Sequence, residues 1–100
     1  MKLYINTKDQ KKVSVSLKKR SKIVSELSEE NEYGSQVLLP LIFKLLKSAN
    51  CNLKTLQGIE VETGPGSFTG LRVGVSVANA LGYSLGILVN GKKIETELVY

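Results

Sequence analysis

The chain has no histidine and a single cysteine, Cys51, among its 100 residues. Without histidine, the usual general base near neutral pH and the commonest metal ligand are both missing. Ser-His and Cys-His catalytic pairs are therefore excluded, and no carboxylate cluster stands out as a metal site. One cysteine cannot form an internal disulfide. No apolar run approaches the ~18 residues of a membrane-spanning helix. The amino-terminal MKLYINTKDQ lacks the apolar core of a signal peptide. The expectation is a cytoplasmic protein with no metal, no cofactor and no membrane contact.

What is present is ordinary globular material, 42% hydrophobic and 23% charged. That is enough for one core in one domain spanning residues 1–100, but not for the two lobes of most nucleotide-cleft enzymes. The net charge is +5. Basic residues crowd the first quarter at Lys8, Lys11, Lys12, Lys18, Lys19, Arg20 and Lys22, and acids follow at Glu26, Glu29, Glu30 and Glu32. Such a run reads either as a basic face for RNA or as solvated hairpin turns. Aromatic residues are not interleaved with the lysines as a base-stacking platform requires.

Leu3 and Ile5 alternate with polar neighbours as a first strand. Val13, Val15 and Leu17 form a second strand of period two, and Ile23 to Leu27 a third. Short polar turns join them, so the three read as an antiparallel meander. A polar break, SEENEYG, precedes helical spacing from about Ser35 to Asn50, where Leu38, Leu39, Ile42, Phe43, Leu45, Leu46 and Ala49 cover one broad face. Pro40 falls in the first turns and is expected to remove one backbone bond and kink the entry. Ile59, Val61 and Thr63 alternate as a fourth strand. A second helix is expected from about Ser67 to Ser84, then a short strand Ile87 to Val89 and a hairpin turn at Asn90-Gly91. Ile94, Thr96, Leu98 and Tyr100 alternate after it, which predicts a returning strand. The order β-β-β-α-β-α-β-β predicts a ribonuclease H-like α/β sheet, a meander plus a β-α-β crossover, with both helices on one face. Ser14, Ser16, Lys18, Glu60 and Glu62 should point away from the core, because strands buried on both faces would read as continuous apolar runs.

The stretch Gly64, Pro65, Gly66, Ser67, Phe68, Thr69, Gly70 joins the fourth strand to the second helix. Glycines there allow unusual backbone angles, and Ser67 or Thr69 can cap the helix. Free amides at a helix start suit an anion, so phosphate binding competes with a purely structural corner. GPGSFTG matches neither common phosphate-loop pattern, and no lysine follows the last glycine. In the helix, Gly70, Gly74, Ala78 and Gly82 recur every fourth residue as a small-residue ridge, flanked by Leu71 and Val75 on one side and by Val73, Val77, Leu81 and Leu85 on the other. The non-polar arc is wider than the ~100° stripe a sheet requires. Three glycines on the ridge imply close packing in return for their cost of about 1 kcal/mol each. The ridge would meet either the first helix of the same chain or a partner chain.

GPGSFTGLRVGVSVANALGYSLGI resembles the signature of the TsaB (YeaZ) family. SQVLLPLIFKLLKSANCNLKTLQGIEV resembles the family's first helix and following strand, and LYINTKDQKKVSVSL its first hairpin. The similarity runs from about Leu3 to Gly91. It implies an actin-like ATPase fold that has lost ATP chemistry. It also implies a non-catalytic subunit that supports the catalytic paralogue TsaD, joined by the ATPase TsaE, in making N6-threonylcarbamoyladenosine in tRNA. Family members use the two helices of the amino-terminal domain to bundle with TsaD or with a second TsaB copy. The interface expected here is Leu39, Ile42, Phe43, Leu46, Gly70, Leu71, Gly74, Val75, Ala78 and Gly82, with a homodimer when the chain is alone and contact with tRNA indirect or weak. On this reading the glycine loop turns a corner. Asn6 stands where members usually carry Asp, Tyr33 to Gln36 reads YGSQ where many carry a His-Ser-Glu-like segment, and the family's second domain is expected to be absent. The alternatives are a basic RNA-binding module and a degenerate actin-like ATPase fragment. Asn6 and the missing lobe argue against the second.

Overall fold

The computed structural model describes residues 1–30 and 36–99. Alternating apolar residues build β1 (Lys2–Asn6), β2 (Lys12–Lys19) and β3 (Lys22–Glu30), which pair antiparallel as a meander. After α1 (Leu38–Ser48), a 3-10 turn at Leu53–Thr55 leads into β4 (Gly58–Val61). β4 adds parallel to β1, with Leu3 opposite Ile59 and Ile5 opposite Val61. The sheet order is β3-β2-β1-β4, and α2 (Phe68–Leu85) follows β4. This is the expected mixed sheet.

Period two sends Leu3, Ile5, Val13, Val15, Leu17, Ile59 and Val61 to one face, where they form a single buried core with Leu38, Leu41, Ile42, Leu45 and Leu46 of α1 and Val75 and Ala78 of α2. α1 lies over β2 and β3, and α2 over β4 and β1. The opposite face is polar. Lys18 Nζ lies 4.3 Å above the Tyr4 ring and 3.8 Å from Glu60, Tyr4 donates to Glu62 at 3.0 Å, and Ser16 donates to Glu26 at 2.9 Å. Burial, the Glu62 hydrogen bond and the charges of Glu62 and Glu60 push the Tyr4 hydroxyl up to about 12, so it stays a donor.

The helix ends follow from capping chemistry. The expected start of the first helix near Ser35 lies outside the described residues, as does Tyr100. Pro40 does not cost α1 a bond. It is the third residue of the helix, and the first intrahelical donor is the Leu41 amide, bonded to Val37 O at 2.9 Å. An amide at position 40 would have had no partner in the helix. α2 starts at Ser67, whose Oγ accepts from the Gly70 amide, and stops at left-handed Gly86.

Two expected strands do not form. Ile87 to Val89 makes only one bridge, Val89 beside Ile59. The Asn90-Gly91 turn is present with both φ values positive, but its hairpin is one pair long, Val89 with Lys92. The returning strand at 94–99 is absent, and the pattern inverts: Ile94 is exposed while Glu95 is buried. Side-chain bonds to the backbone have displaced the ladder there.

The β2–β3 loop is two residues long, Arg20-Ser21, both in the left-handed region at φ 54° and 67°. Tight hairpins favour Asn-Gly at these positions. Arg20→Asn combined with Ser21→Gly is therefore expected to raise stability by about 1 kcal/mol, read as a higher urea midpoint with an unchanged slope.

Candidate functional site

The glycine loop is closed by the chain itself. After β4, the Glu62 amide bonds Ile5 O at 2.9 Å, and the Glu62 carboxylate accepts from the Gly64 amide at 3.3 Å and from the Tyr4 hydroxyl. The Gly64–Pro65 peptide is cis. Gly64 has φ 114° and lies against the Val99 carbonyl, while the Val99 amide donates to Thr63 O at 2.8 Å. A Cβ on Gly66 would come within 2.7 Å of the Lys8 backbone oxygen, and the Ser67 amide donates to that same oxygen at 2.8 Å. The amides of Gly64, Ser67 and Gly70 each have an acceptor within the chain. A phosphate cradle would need such amides to point outward. The loop thus turns a corner against the end of β1, with Ser67 as the cap and Thr69 exposed.

The small-residue ridge of α2 faces inward, which corrects its assignment to a partner interface. Gly70, Leu71, Gly74, Val75, Ala78 and Gly82 are all buried. Gly70 and Gly74 press on Thr7, and Gly82 presses on Val89 and the Ile87 carbonyl. Thr7 Oγ1 donates to Gly70 O at 2.6 Å, joining the end of β1 to the first turn of α2. Thr7 and Val89, rather than the first helix, lie against its glycines. On α1, Ile42 and Leu46 also belong to the core, whereas Leu39 and Phe43 are 41% and 48% exposed. Of the expected interface residues, only these two face solvent. Val73, Val77 and Leu81 line one flank of α2, half-buried against the core.

A second constellation escaped the sequence reading. Asn79 on α2 clasps the Glu95 backbone, donating to its carbonyl at 2.9 Å and accepting from its amide at 2.8 Å. Asn90 makes the same double bond with Val61 of β4, at 2.8 and 3.1 Å. Between them sits the Glu95 carboxylate, 4% exposed, accepting from Asn90 Nδ2 at 2.8 Å, Lys92 Nζ at 3.1 Å and the amides of Thr96 and Glu97, both at 3.0 Å. Burial alone would push this carboxyl up, but the hydrogen bonds from Asn90, Glu97 and Lys92 and the Lys92 charge hold it below its ordinary 4.5. In the sequence Asn90 reads only as a turn residue, and nothing in the helical pattern singles out Asn79. Their signal was an amide in mid-helix and another in a left-handed turn, each with a spare side chain. Among the described residues no group of three potential ligands could hold a metal ion, and no helix is long and apolar enough to cross a membrane.

With this geometry fixed, comparison with known proteins identifies the lineage. A family model described as "TsaD: tRNA N6-adenosine threonylcarbamoyltransferase" matches residues 23–91. The tRNA threonylcarbamoyladenosine biosynthesis protein TsaB of Buchnera aphidicola is 37% identical over 73 residues, covering 72% of this chain and 35% of its own. A tRNA N6-adenosine threonylcarbamoyltransferase of Syntrophus aciditrophicus is 36% identical over 73 residues, covering 62% of this chain and 22% of its own. The solved structure of YeaZ from Pseudomonas aeruginosa superposes with a TM-score of 0.74 at 30% identity, over 88% of this chain and 41% of that one. The chain thus spans about a third or less of the length of these two curated relatives. The mixed four-stranded sheet with its two helices matches the actin-like, ribonuclease H-like fold of YeaZ. The chain belongs to the TsaD family and is a TsaB/YeaZ-like member of the proteins of tRNA threonylcarbamoyladenosine biosynthesis.

Proposed function

We propose that this chain is a non-catalytic scaffold that supports a TsaD-like enzyme in the threonylcarbamoyladenosine modification of tRNA, with a TsaE-like ATPase joining the assembly. The observation that carries the reading is the outer side of the helix layer. α1 presents Leu39 and Phe43 to solvent although its other face already supplies five core residues. Large exposed apolar side chains on a helix that has satisfied its own core mark a surface kept for another protein. The amides of Gly64, Ser67 and Gly70 are used internally, and Asn6 stands where the family usually carries an acidic residue, both of which favour a structural role over ATP chemistry. Without the enzyme, the same helix surface pairs two copies of the chain.

Leu39→Glu combined with Phe43→Glu is expected to weaken association with a TsaD-like protein by at least about tenfold, while leaving the thermal midpoint within about 2 °C of the unaltered chain. Titration calorimetry and a melting curve on the same sample check both halves. Undiminished association would remove α1 from the interface.

A further inference from the structure

The sheet gathers its positive charge at one end. Register places Lys2 of β1 directly opposite Lys18 of β2, and Lys19 of β2 directly opposite Lys22 of β3. Like charges facing each other across strands destabilise a sheet, and here two such pairs occupy successive rungs, one on each face of the sheet. Arg20 follows at the hairpin tip, held in a left-handed conformation that suits asparagine or glycine better. Lys2, Lys18, Lys19 and Arg20 line a common cleft with Gln57 and Glu60. Among the described residues, Glu60 is the cleft's sole carboxylate, 3.8 Å from Lys18. Stability alone does not account for this arrangement, whereas an anionic partner does.

Structured RNA is the anion that fits. The cations are spread along strand ends about 4.8 Å apart rather than converging on one point, which suits a row of backbone phosphates more than a single small anion. Tyr4, beside the cleft residue Lys18, has that lysine over its face and its hydroxyl bound to Glu62, so it offers no stacking platform for a base. Such a surface reads charge and shape, not sequence. We propose that Lys2, Lys18, Lys19 and Arg20, which line the cleft, with Lys22 paired to Lys19 at the hairpin, form a contact for the phosphate backbone of the tRNA on which the assembly acts. This inference rests on the tRNA-modification reading above, and it places the contact on the sheet end, apart from Leu39 and Phe43.

The test uses the whole chain and a tRNA transcript, with binding followed by fluorescence anisotropy across a salt series. The triple substitution Lys2→Ala, Lys19→Ala, Arg20→Ala removes like-charge pairs and should fold at least as well as the unaltered chain. It is expected to weaken tRNA binding at least about tenfold near 100 mM salt and to reduce the slope of log affinity against log salt by about 2–3. Lys44→Ala with Lys47→Ala, on α1, should leave both nearly unchanged. No binding by the unaltered chain, an unaltered slope in the triple variant, or an equal loss in the α1 variant would overturn the proposal. So would a triple variant whose self-association changes while its RNA affinity does not, because the cations would then serve a protein contact. Association of the triple variant with a TsaD-like protein separates the two readings: if it persists while the RNA slope is unmoved, the RNA contact fails and the scaffold stands.

Discussion

Gly74→Leu is expected to destabilise the domain itself rather than to dissociate it from a partner. A Cβ at residue 74 would fall on Thr7 Oγ1, with Thr7 Cβ and Cγ2 next nearest at 3.4 Å. Thr7 cannot retreat, because it is buried and its hydroxyl is tied to Gly70 O. Overpacking a core costs typically 1–3 kcal/mol, and a leucine against so short and fixed a neighbour belongs at about 3 kcal/mol or above. A domain of this size holds roughly 5–15 kcal/mol in total, and its melting point falls by about 4–8 °C per kcal/mol. The expected result is a midpoint lower by about 12 °C or more, present equally in monomer and assembly. Thr7→Ala should recover part of the loss from the milder Gly74→Ala, since the colliding oxygen goes with it. A Gly74→Leu variant that melts normally yet no longer assembles would return the ridge to the surface and refute the inward packing.

Glu95→Gln is expected to cost about 2–3 kcal/mol, although it preserves shape. Four donors converge on the two carboxylate oxygens, three of them on Oε1 alone. A glutamine must turn its amino group toward Asn90 or toward the other three, leaving donor against donor. The pH dependence carries the sign. The folded-state carboxyl is held below 4.5, so it binds its proton less readily than in the unfolded chain. Its stabilisation is full above the unfolded value and is lost as pH falls through the folded one. The gap between unaltered chain and variant should therefore be wide at about pH 7 and shrink as the pH falls below 4.5. Denaturant midpoints across that range measure it, and a constant gap would mean that the carboxylate charge is not what the network holds.

How much of this was legible in the chain differs by element. β1 to β4 announced themselves through period two: Val13, Val15 and Leu17 are buried and Ser14 and Lys18 are not, although Ser16 is buried with its hydroxyl on Glu26 and a register shift against β3 leaves Ile23 and Val24 both exposed. α2 was equally plain, with Ser67 and Gly86 closing its ends. The direction of its ridge was not. Gly70, Gly74, Ala78 and Gly82 declare that something comes close, and a small-residue row reads the same whether that is a helix, a strand end or another chain. Thr7, separated by more than sixty residues from Gly70, is where the answer lay. The tail failed for a different reason. Alternation at Ile94, Thr96 and Leu98 is a strand signal only if no side chain outbids the ladder, and Glu95 draws the amides of Thr96 and Glu97 to itself.

The parallel seam between β1 and β4 has a consequence in time. β1, β2 and β3 find one another through short turns, whereas Lys2 and Gly58 must meet across fifty-six residues. Closing so long a loop is entropically costly before any contact rewards it. The meander with α1 across β2 and β3 should therefore form early, and the unit of β4, the glycine corner and α2 should dock on it late. Thr7 lies at the joint, bonded to α2 and next in the chain after β1. Substitutions at Thr7 should chiefly accelerate unfolding and leave the folding rate nearly unchanged, whereas substitutions at Val15 should slow folding.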